Sequence, residues 1–167
     1  MRTYILTVIF LFAGLFGSLQ ATAVPNESPI GIGIFPPVQF PGTEFGVTGI
    51  RLSVVGVNRA ASGIDLAVLG NVTNQQFKGL AIAGLFNYNK IGADIYGLQA
   101  ALGANINGTG SSLYGFQLGI YNQVTKVYGI QIGLINVATE LHGIQIGLLN
   151  FNAAGPFKAS PIINAAF

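Results

Sequence analysis

The 167-residue sequence contains no cysteine, and its potentially catalytic side chains are few. Without cysteine, the chain can form neither a disulfide framework nor a thiolate metal site. One histidine, His142, and five acidic residues are too few for most catalytic constellations. We therefore predict a protein that is not an enzyme, with no catalytic, cofactor-binding or metal-ligating residues. The five acids are Glu27, Glu44, Asp65, Asp94 and Glu140.

Charged residues are also scarce. They make up 7% of the chain, whereas an ordinary globular domain carries about 25%. The formal net charge of +2 gives no reason to expect a nucleic-acid partner. Because 51% of the residues are hydrophobic, the composition suits a low-polarity environment. We expect membrane lipid as a partner, and the sequence leaves any protein or surface partner unidentified.

One short unit recurs seven times along the chain. Its last three copies read GFQLGIYN, GIQIGLIN and GIQIGLLN, whereas the first four are looser. The copies begin at Gly49, Gly63, Gly79, Gly97, Gly115, Gly129 and Gly143. Successive starts are 14, 16, 18, 18, 14 and 14 residues apart. A fixed unit with variable connectors indicates stacked or laddered supersecondary pieces.

Within each unit the side chains alternate in character, which is typical of a β-strand. Ile130, Ile132 and Leu134 have one parity, and Gly129, Gln131 and Gly133 have the other. A helix is disfavoured because each glycine in a helix interior costs roughly 1 kcal/mol relative to alanine. The spacings of 16 and 18 would also break a heptad seam.

The alternation predicts an all-β fold with two possible architectures. The favoured one is an antiparallel meander that closes into a small barrel of about eight or nine strands. The alternative is a parallel β-solenoid, in which Gln117, Gln131 and Gln145 would form a ladder. The barrel is preferred because the short connector 58–62 offers no apolar return stretch for a solenoid coil. In that barrel, the segment 137–141 would be a hairpin loop.

The chain divides into four segments. Residues 1–23 have a basic Arg2, an apolar run and a small-residue end at Ala21 to Ala23, which together predict a cleaved secretory signal peptide. A retained transmembrane anchor is the competing interpretation of this run. An initial segment with the first strand occupies 24–48, the seven-unit repeat region occupies 49–152, and a closing strand occupies 153–167.

The two faces of the repeat strands differ in chemistry, but the pattern does not decide which face points outward. One face is apolar, and the other carries small residues and amides. Tyrosines precede the repeat glycine in three units, where they could form an interfacial girdle, and His142 occupies the same position in a fourth. Arg51 and Asp65 occupy equivalent positions in adjacent units, where an ion pair is possible.

The repeat unit and the two ends of the chain resemble a bacterial surface-repeat family known especially from spirochaete genomes. The resemblance is carried by the Gly-apolar-Gln-apolar-Gly pattern, by IFPPVQFP at 34–41 and by GPFKASPIINAAF at 155–167. It covers about Ile30 to Phe167 and is looser where Arg51, Asp65 and Ala81 replace glutamine. The resemblance implies export and an envelope location, and it implies no known activity.

These observations predict a non-enzymatic protein of the bacterial outer membrane or cell surface, with a structural or surface-interaction role. The alternative is a soluble solenoid in the periplasm or outside the cell, which would bind a glycan or a protein along its Gln and Asn ladder. The two predictions differ in whether the protein partitions with membranes.

Overall fold

The computed structural model describes residues 26–90 and 92–167, and the predicted signal peptide lies outside these residues. All regular secondary structure in the described part is β-strand. The twelve strands are β1 (Glu27–Phe35), β2 (Val38–Phe40), β3 (Gly46–Asn58), β4 (Ala60–Thr73), β5 (Phe77–Ala83), β6 (Phe86–Asn89), β7 (Asp94–Ala101), β8 (Ala104–Asn107), β9 (Ser112–Leu118), β10 (Tyr121–Ile132), β11 (Ile135–Asn152) and β12 (Ala159–Ala166).

Successive repeats pair in parallel and in register. Gln131 of β10 is aligned with Gln117 of β9 on one side and with Gln145 of β11 on the other. The same alignment extends through β7, β5, β4 and β3, so the repeat glycines from Gly49 to Gly143 form one column. Equivalent positions of each repeat are therefore stacked along one axis, as in a parallel β-solenoid.

The predicted antiparallel barrel of about eight or nine strands is wrong, and the parallel β-solenoid alternative is correct. Each repeat contributes one stretch to each of two parallel stacks and turns a corner between them, whereas the barrel required one strand and a hairpin that reverses the chain. The segment 137–141, expected to be a hairpin loop, continues strand β11. Its Ala138 and Leu141 are buried and so supply the apolar return stretch that a solenoid coil needs.

The coil is flattened between two broad parallel stacks, which we name face A and face B. Face A contains the repeat glycines and includes 112–118, 126–132 and 140–146. Face B includes 86–89, 104–107, 121–124 and 135–138. Both β10 and β11 pass from face B to face A around a corner, at Thr125 and Thr139.

The inside of the solenoid is apolar at one end of the cross-section. Val127 and Leu141 of face A are buried and pack in one cluster with Val124 and Ala138 of face B. The aligned face A residues form a continuous column at this position. Its members are Val47, Ala61, Phe77, Ile95, Leu113, Val127 and Leu141.

Both ends of the stack are covered by an antiparallel strand. At the N-terminal end β2 pairs with β1, and at the C-terminal end β12 pairs with β11. Prolines lie next to or within these outer strands, at Pro37, Pro41 and Pro161. Because proline cannot donate a backbone hydrogen bond, it makes an exposed edge a poorer template for further pairing.

The repeat glycine column exists because each coil approaches its neighbour too closely for a side chain. A Cβ atom added at Gly97 would overlap the carbonyl oxygen of Gly79, and the same overlap recurs at each later repeat glycine. Gly97 also has φ = +126°, a conformation that side-chain-bearing residues rarely adopt. In-register stacking therefore requires glycine at this position.

We predict that Gly97→Ala lowers the free energy of unfolding by about 3 kcal/mol or more, because it combines steric overlap with an unfavourable φ. Gly46→Ala is the matched control, since a Cβ there has its nearest atom at an ordinary 3.4 Å. Urea unfolding followed by circular dichroism measures both. Equal stability of the two variants would contradict the close stacking of the glycine column.

Candidate functional site on the outer surface

A ladder of glutamine side chains runs through the interior behind face A. Gln145 Nε2 donates to Gln131 Oε1 at 2.8 Å, Gln131 Nε2 donates to Gln117 Oε1 at 2.8 Å, and Gln117 Nε2 donates to Gln99 Oε1 at 3.0 Å. All four side chains are buried. The ladder predicted for the solenoid alternative is therefore present.

A second ladder, made of asparagine, lies behind face B. Asn122 Nδ2 donates to Asn136 Oδ1 at 2.8 Å, and Asn136 Nδ2 donates to Asn150 Oδ1 at 2.8 Å. Each amide also reaches the main chain, as when Asn122 Nδ2 donates to the Ile132 carbonyl at 2.9 Å. The ladder continues back through Asn105, Asn87 and Asn71.

Because the glutamine side chains point inward, the apolar residues of the opposite parity on face A point outward. Gln131 is fully buried, whereas its neighbour Ile132 is 41% exposed. The same contrast holds between Gln117 and Leu118, which is 50% exposed. The apolar parity of the sequence therefore forms the outer surface of the protein.

The outer surface of face A becomes less polar in steps across the coil. Starting from the corner at Thr125, the outward side chains of one coil are Lys126, Tyr128, Ile130 and Ile132. Leu134 follows at the opposite corner and is 50% exposed. The next coil repeats this order with Glu140, His142, Ile144, Ile146 and Leu148.

The two corners of the flattened solenoid are chemically opposite. We name the corner with exposed Leu102, Ile120, Leu134 and Leu148 the apolar corner. We name the corner opposite, where the chain turns at Arg59, Lys90, Thr125 and Thr139, the polar corner. Within the described residues of 49–152, every charged side chain outside the interior lies at the polar corner or in the two face A columns next to it. These residues are Arg59, Lys78, Lys90, Asp94, Lys126 and Glu140.

The apolar corner contains an open groove of about 530 Å³ that runs along the solenoid. Gly119, Gly133 and Gly147 form part of its lining, together with leucine, isoleucine and alanine side chains such as Leu134 and Ile146. The groove offers no charged or polar side chain to a ligand. Its side chains therefore suit an apolar partner.

Aromatic rings form a stacked row between the charged and the aliphatic columns of face A. Tyr96, Tyr114, Tyr128 and His142 are stacked, with successive ring centroids 4.9 Å apart and ring planes within 7° of parallel. The Lys78 ammonium lies 5.5 Å from the centroid of Tyr96 and so extends the row. His142, the sole histidine, thus has a packing role equivalent to that of the tyrosines.

Two of the surface charges beside this row form an ion pair. Lys126 Nζ lies 3.0 Å from Glu140 Oε2, and both side chains are about 40% exposed. The hydrogen bond to Glu140 raises the pKa of Lys126. An exposed pair of this kind contributes little to stability.

Arg51 and Asp65 form the ion pair that their equivalent repeat positions suggested, and it is buried where later coils carry glutamine. Arg51 Nε donates to Asp65 Oδ1 at 2.7 Å, and a second hydrogen bond joins Arg51 Nη2 to Asp65 Oδ2. Arg51 Nη1 also donates to Asn58 Oδ1 at 2.7 Å. Burial raises the pKa of Asp65, while Arg51 acts in the opposite direction.

The remaining titratable residues do not converge. Asp94 and Glu140 lie on the surface of face A, whereas Glu27 and Glu44 lie near the N-terminal end. Asp65 is paired with Arg51 in the interior. In the described part of the chain, no group of three or more acidic or histidine side chains could hold a metal ion.

The sequence did not specify that the apolar columns of face A point outward. Their direction depends on which set of alternating side chains fills the interior of the solenoid.

Comparisons of the chain with family models, curated proteins and solved structures find no match. The resemblance to a spirochaete surface-repeat family therefore stays a prediction from the sequence. Within residues 26–90 and 92–167, no helix has the length and apolarity needed to cross a membrane.

Two reciprocal substitutions test which parity faces inward. Gln131→Leu should lower the free energy of unfolding by about 2 kcal/mol or more, because it leaves Gln117 Oε1 without a donor and removes one of the two acceptors of Gln145 Nε2. Ile132→Gln should change it by less than about 0.5 kcal/mol, because Ile132 is a surface side chain. Chemical denaturation of both variants provides the comparison. If the more hydrophobic variant is the more stable one, the assignment of the interior is wrong.

Proposed function

We propose that this chain is a non-enzymatic exported protein of the bacterial envelope that binds lipid through the apolar corner and the aliphatic columns beside it. The observation that carries the proposal is the outward direction of the apolar parity, as in Ile132 and Leu134, while amides fill the interior. Folding leaves these side chains in contact with water, so their transfer into lipid would lower the free energy.

The size and continuity of the apolar surface support a lipid partner. Contiguous exposed apolar patches beyond a few hundred Å² mark interaction sites in proteins. Here the apolar columns continue through the stacked coils, from Ile50 and Leu52 in β3 to Ile144 and Ile146 in β11. Face B adds further apolar side chains near the same corner, such as Ile135 and Leu149.

The sequence supplies the envelope location. The predicted signal peptide at 1–23 favours export, and the resemblance to a surface-repeat family favours the bacterial envelope. A β-solenoid that carries apolar residues on its outside gains from being near lipid, which an exported chain reaches at the outer membrane or the cell surface.

The alternative, a soluble module that binds glycans or proteins along the Gln and Asn ladder, loses its binding surface in this structure. Gln131 and Asn136 are fully buried, and each ladder amide already bonds to its neighbours. Neither ladder can therefore offer its amides to a glycan unless the solenoid opens.

Vesicle flotation tests the proposal. We expect the chain without residues 1–23 to float with phospholipid vesicles. Leu134→Asp with Leu148→Asp should weaken binding by at least about tenfold, because two lost leucine contacts exceed the roughly 1.4 kcal/mol that tenfold represents.

Thr109→Asp with Thr139→Asp is the matched control, since it adds the same charge at exposed positions near the polar corner. This variant should bind vesicles as tightly as the unmodified chain. Failure of the unmodified chain to float would contradict the proposal. A stable dimer in buffer that ignores vesicles would assign the apolar surface to a second copy instead.

A further inference from the structure

We infer that the solenoid lies flat in a single leaflet of the membrane, with its axis parallel to the membrane plane and its apolar corner pointing toward the bilayer centre. The inference builds on the proposed lipid binding and specifies its geometry. It comes from the order of the outward columns, which separates charged, aromatic and aliphatic side chains across each coil.

The order of these columns matches the order of layers in a membrane. Lys126 lies next to the polar corner, Tyr128 comes second, Ile130 and Ile132 follow, and Leu134 lies at the apolar corner. Charged residues suit water, tyrosine suits the headgroup region and aliphatic residues suit hydrocarbon. Moving along one coil therefore corresponds to moving down into a leaflet.

The depth of the apolar part fits one leaflet. Alternate residues of a strand are about 6.7 Å apart, so Tyr128 and Ile132 are separated by roughly 13 Å, and Leu134 lies beyond Ile132 at the corner. A hydrocarbon core is about 30 Å thick, which gives about 15 Å for each leaflet. The aliphatic columns can thus fill a leaflet while the aromatic row stays among the headgroups.

An upright orientation is disfavoured by the charged edge. The ten stacked strands extend roughly 43 Å along the axis, which is long enough to cross a bilayer. In that orientation, the polar corner and its neighbouring columns would pass through hydrocarbon with Lys78, Asp94 and Lys126 on them. Charges at that depth are costly, whereas the flat orientation keeps them in water.

The stacked rings provide a continuous boundary at the level of the headgroups. Tyr114 is 40% exposed and Tyr128 is 38% exposed, and both belong to the single stacked row. Because this row runs along the solenoid axis, its members can all lie at the same depth when the axis is parallel to the membrane. Tyrosine is enriched at membrane interfaces for its amphipathic ring.

The test measures depth at single cysteines in this cysteine-free chain, bound to phosphatidylcholine and phosphatidylglycerol vesicles. An environment-sensitive fluorophore is placed at Thr139, Tyr128 or Leu134 in separate variants. We expect iodide in the buffer to quench Thr139, lipids with shallow nitroxides to quench Tyr128, and lipids with deep nitroxides to quench Leu134.

A second series, at Leu102, Leu134 and Leu148, follows one column along the axis. The flat orientation predicts the same depth at all three. A progressive change in depth along this series, or a Thr139 probe protected from iodide, would overturn the inference while leaving lipid binding intact. Absence of vesicle binding by the unlabelled chain would instead defeat the proposed function itself.

Discussion

The in-register hydrogen bonding of amide side chains inside the coil is the constraint on which this structure depends. An amide has both a donor and an acceptor, so identical residues stacked at the strand spacing of about 4.8 Å can satisfy one another. Gln131 and Asn136 do this in successive coils. Buried amides that lost this alignment would remain unpaired, and for that reason the repeat must preserve both residue type and position.

The two ladders donate in opposite directions along the axis. The glutamine ladder donates toward the N-terminal end, and the asparagine ladder donates toward the C-terminal end. Their terminal acceptors therefore lie at opposite ends, where Gln145 Oε1 and Asn71 Oδ1 have no partner among the described residues. Because the two ladders point in opposite directions, their amide dipoles partly cancel. At the N-terminal end, the charged pair of Arg51 and Asp65 occupies the position of the glutamine ladder.

Filling the interior with amides has a direct consequence for the surface. Successive side chains of a strand point to opposite sides of the sheet. Because Gln131 points inward, Ile130 and Ile132 point outward. Folding leaves many aliphatic side chains of the chain exposed. Stability therefore depends on the hydrogen-bonded stacking of the coils and on the narrow buried column that includes Val127. The surface that results is suited to contact with an apolar environment, which connects the fold to the proposed lipid binding.

The sequence was enough to predict an all-β repeat fold, the common position of the glutamines and the possible pairing of Arg51 with Asp65. It was not enough to choose between barrel and solenoid. A 14-residue unit can form one strand followed by a hairpin, or one solenoid coil that turns at two corners. Corners such as Thr139 carry no glycine or proline signal. Alternation shows which side chains share a face, but the outward direction depends on packing between coils.

Strand register can be measured most directly by disulfide formation between introduced cysteines in this naturally cysteine-free chain. In the solenoid, Ile130 is aligned with Ile144, and both lie on the outer surface of face A. Cysteines at 130 and 144 should therefore cross-link readily under mild oxidation, whereas cysteines at 130 and 148 should not, because position 148 is four residues beyond the aligned one. Preferred cross-linking of the 130 and 148 pair would indicate an antiparallel hairpin centred on Thr139 and would contradict the parallel, in-register stack.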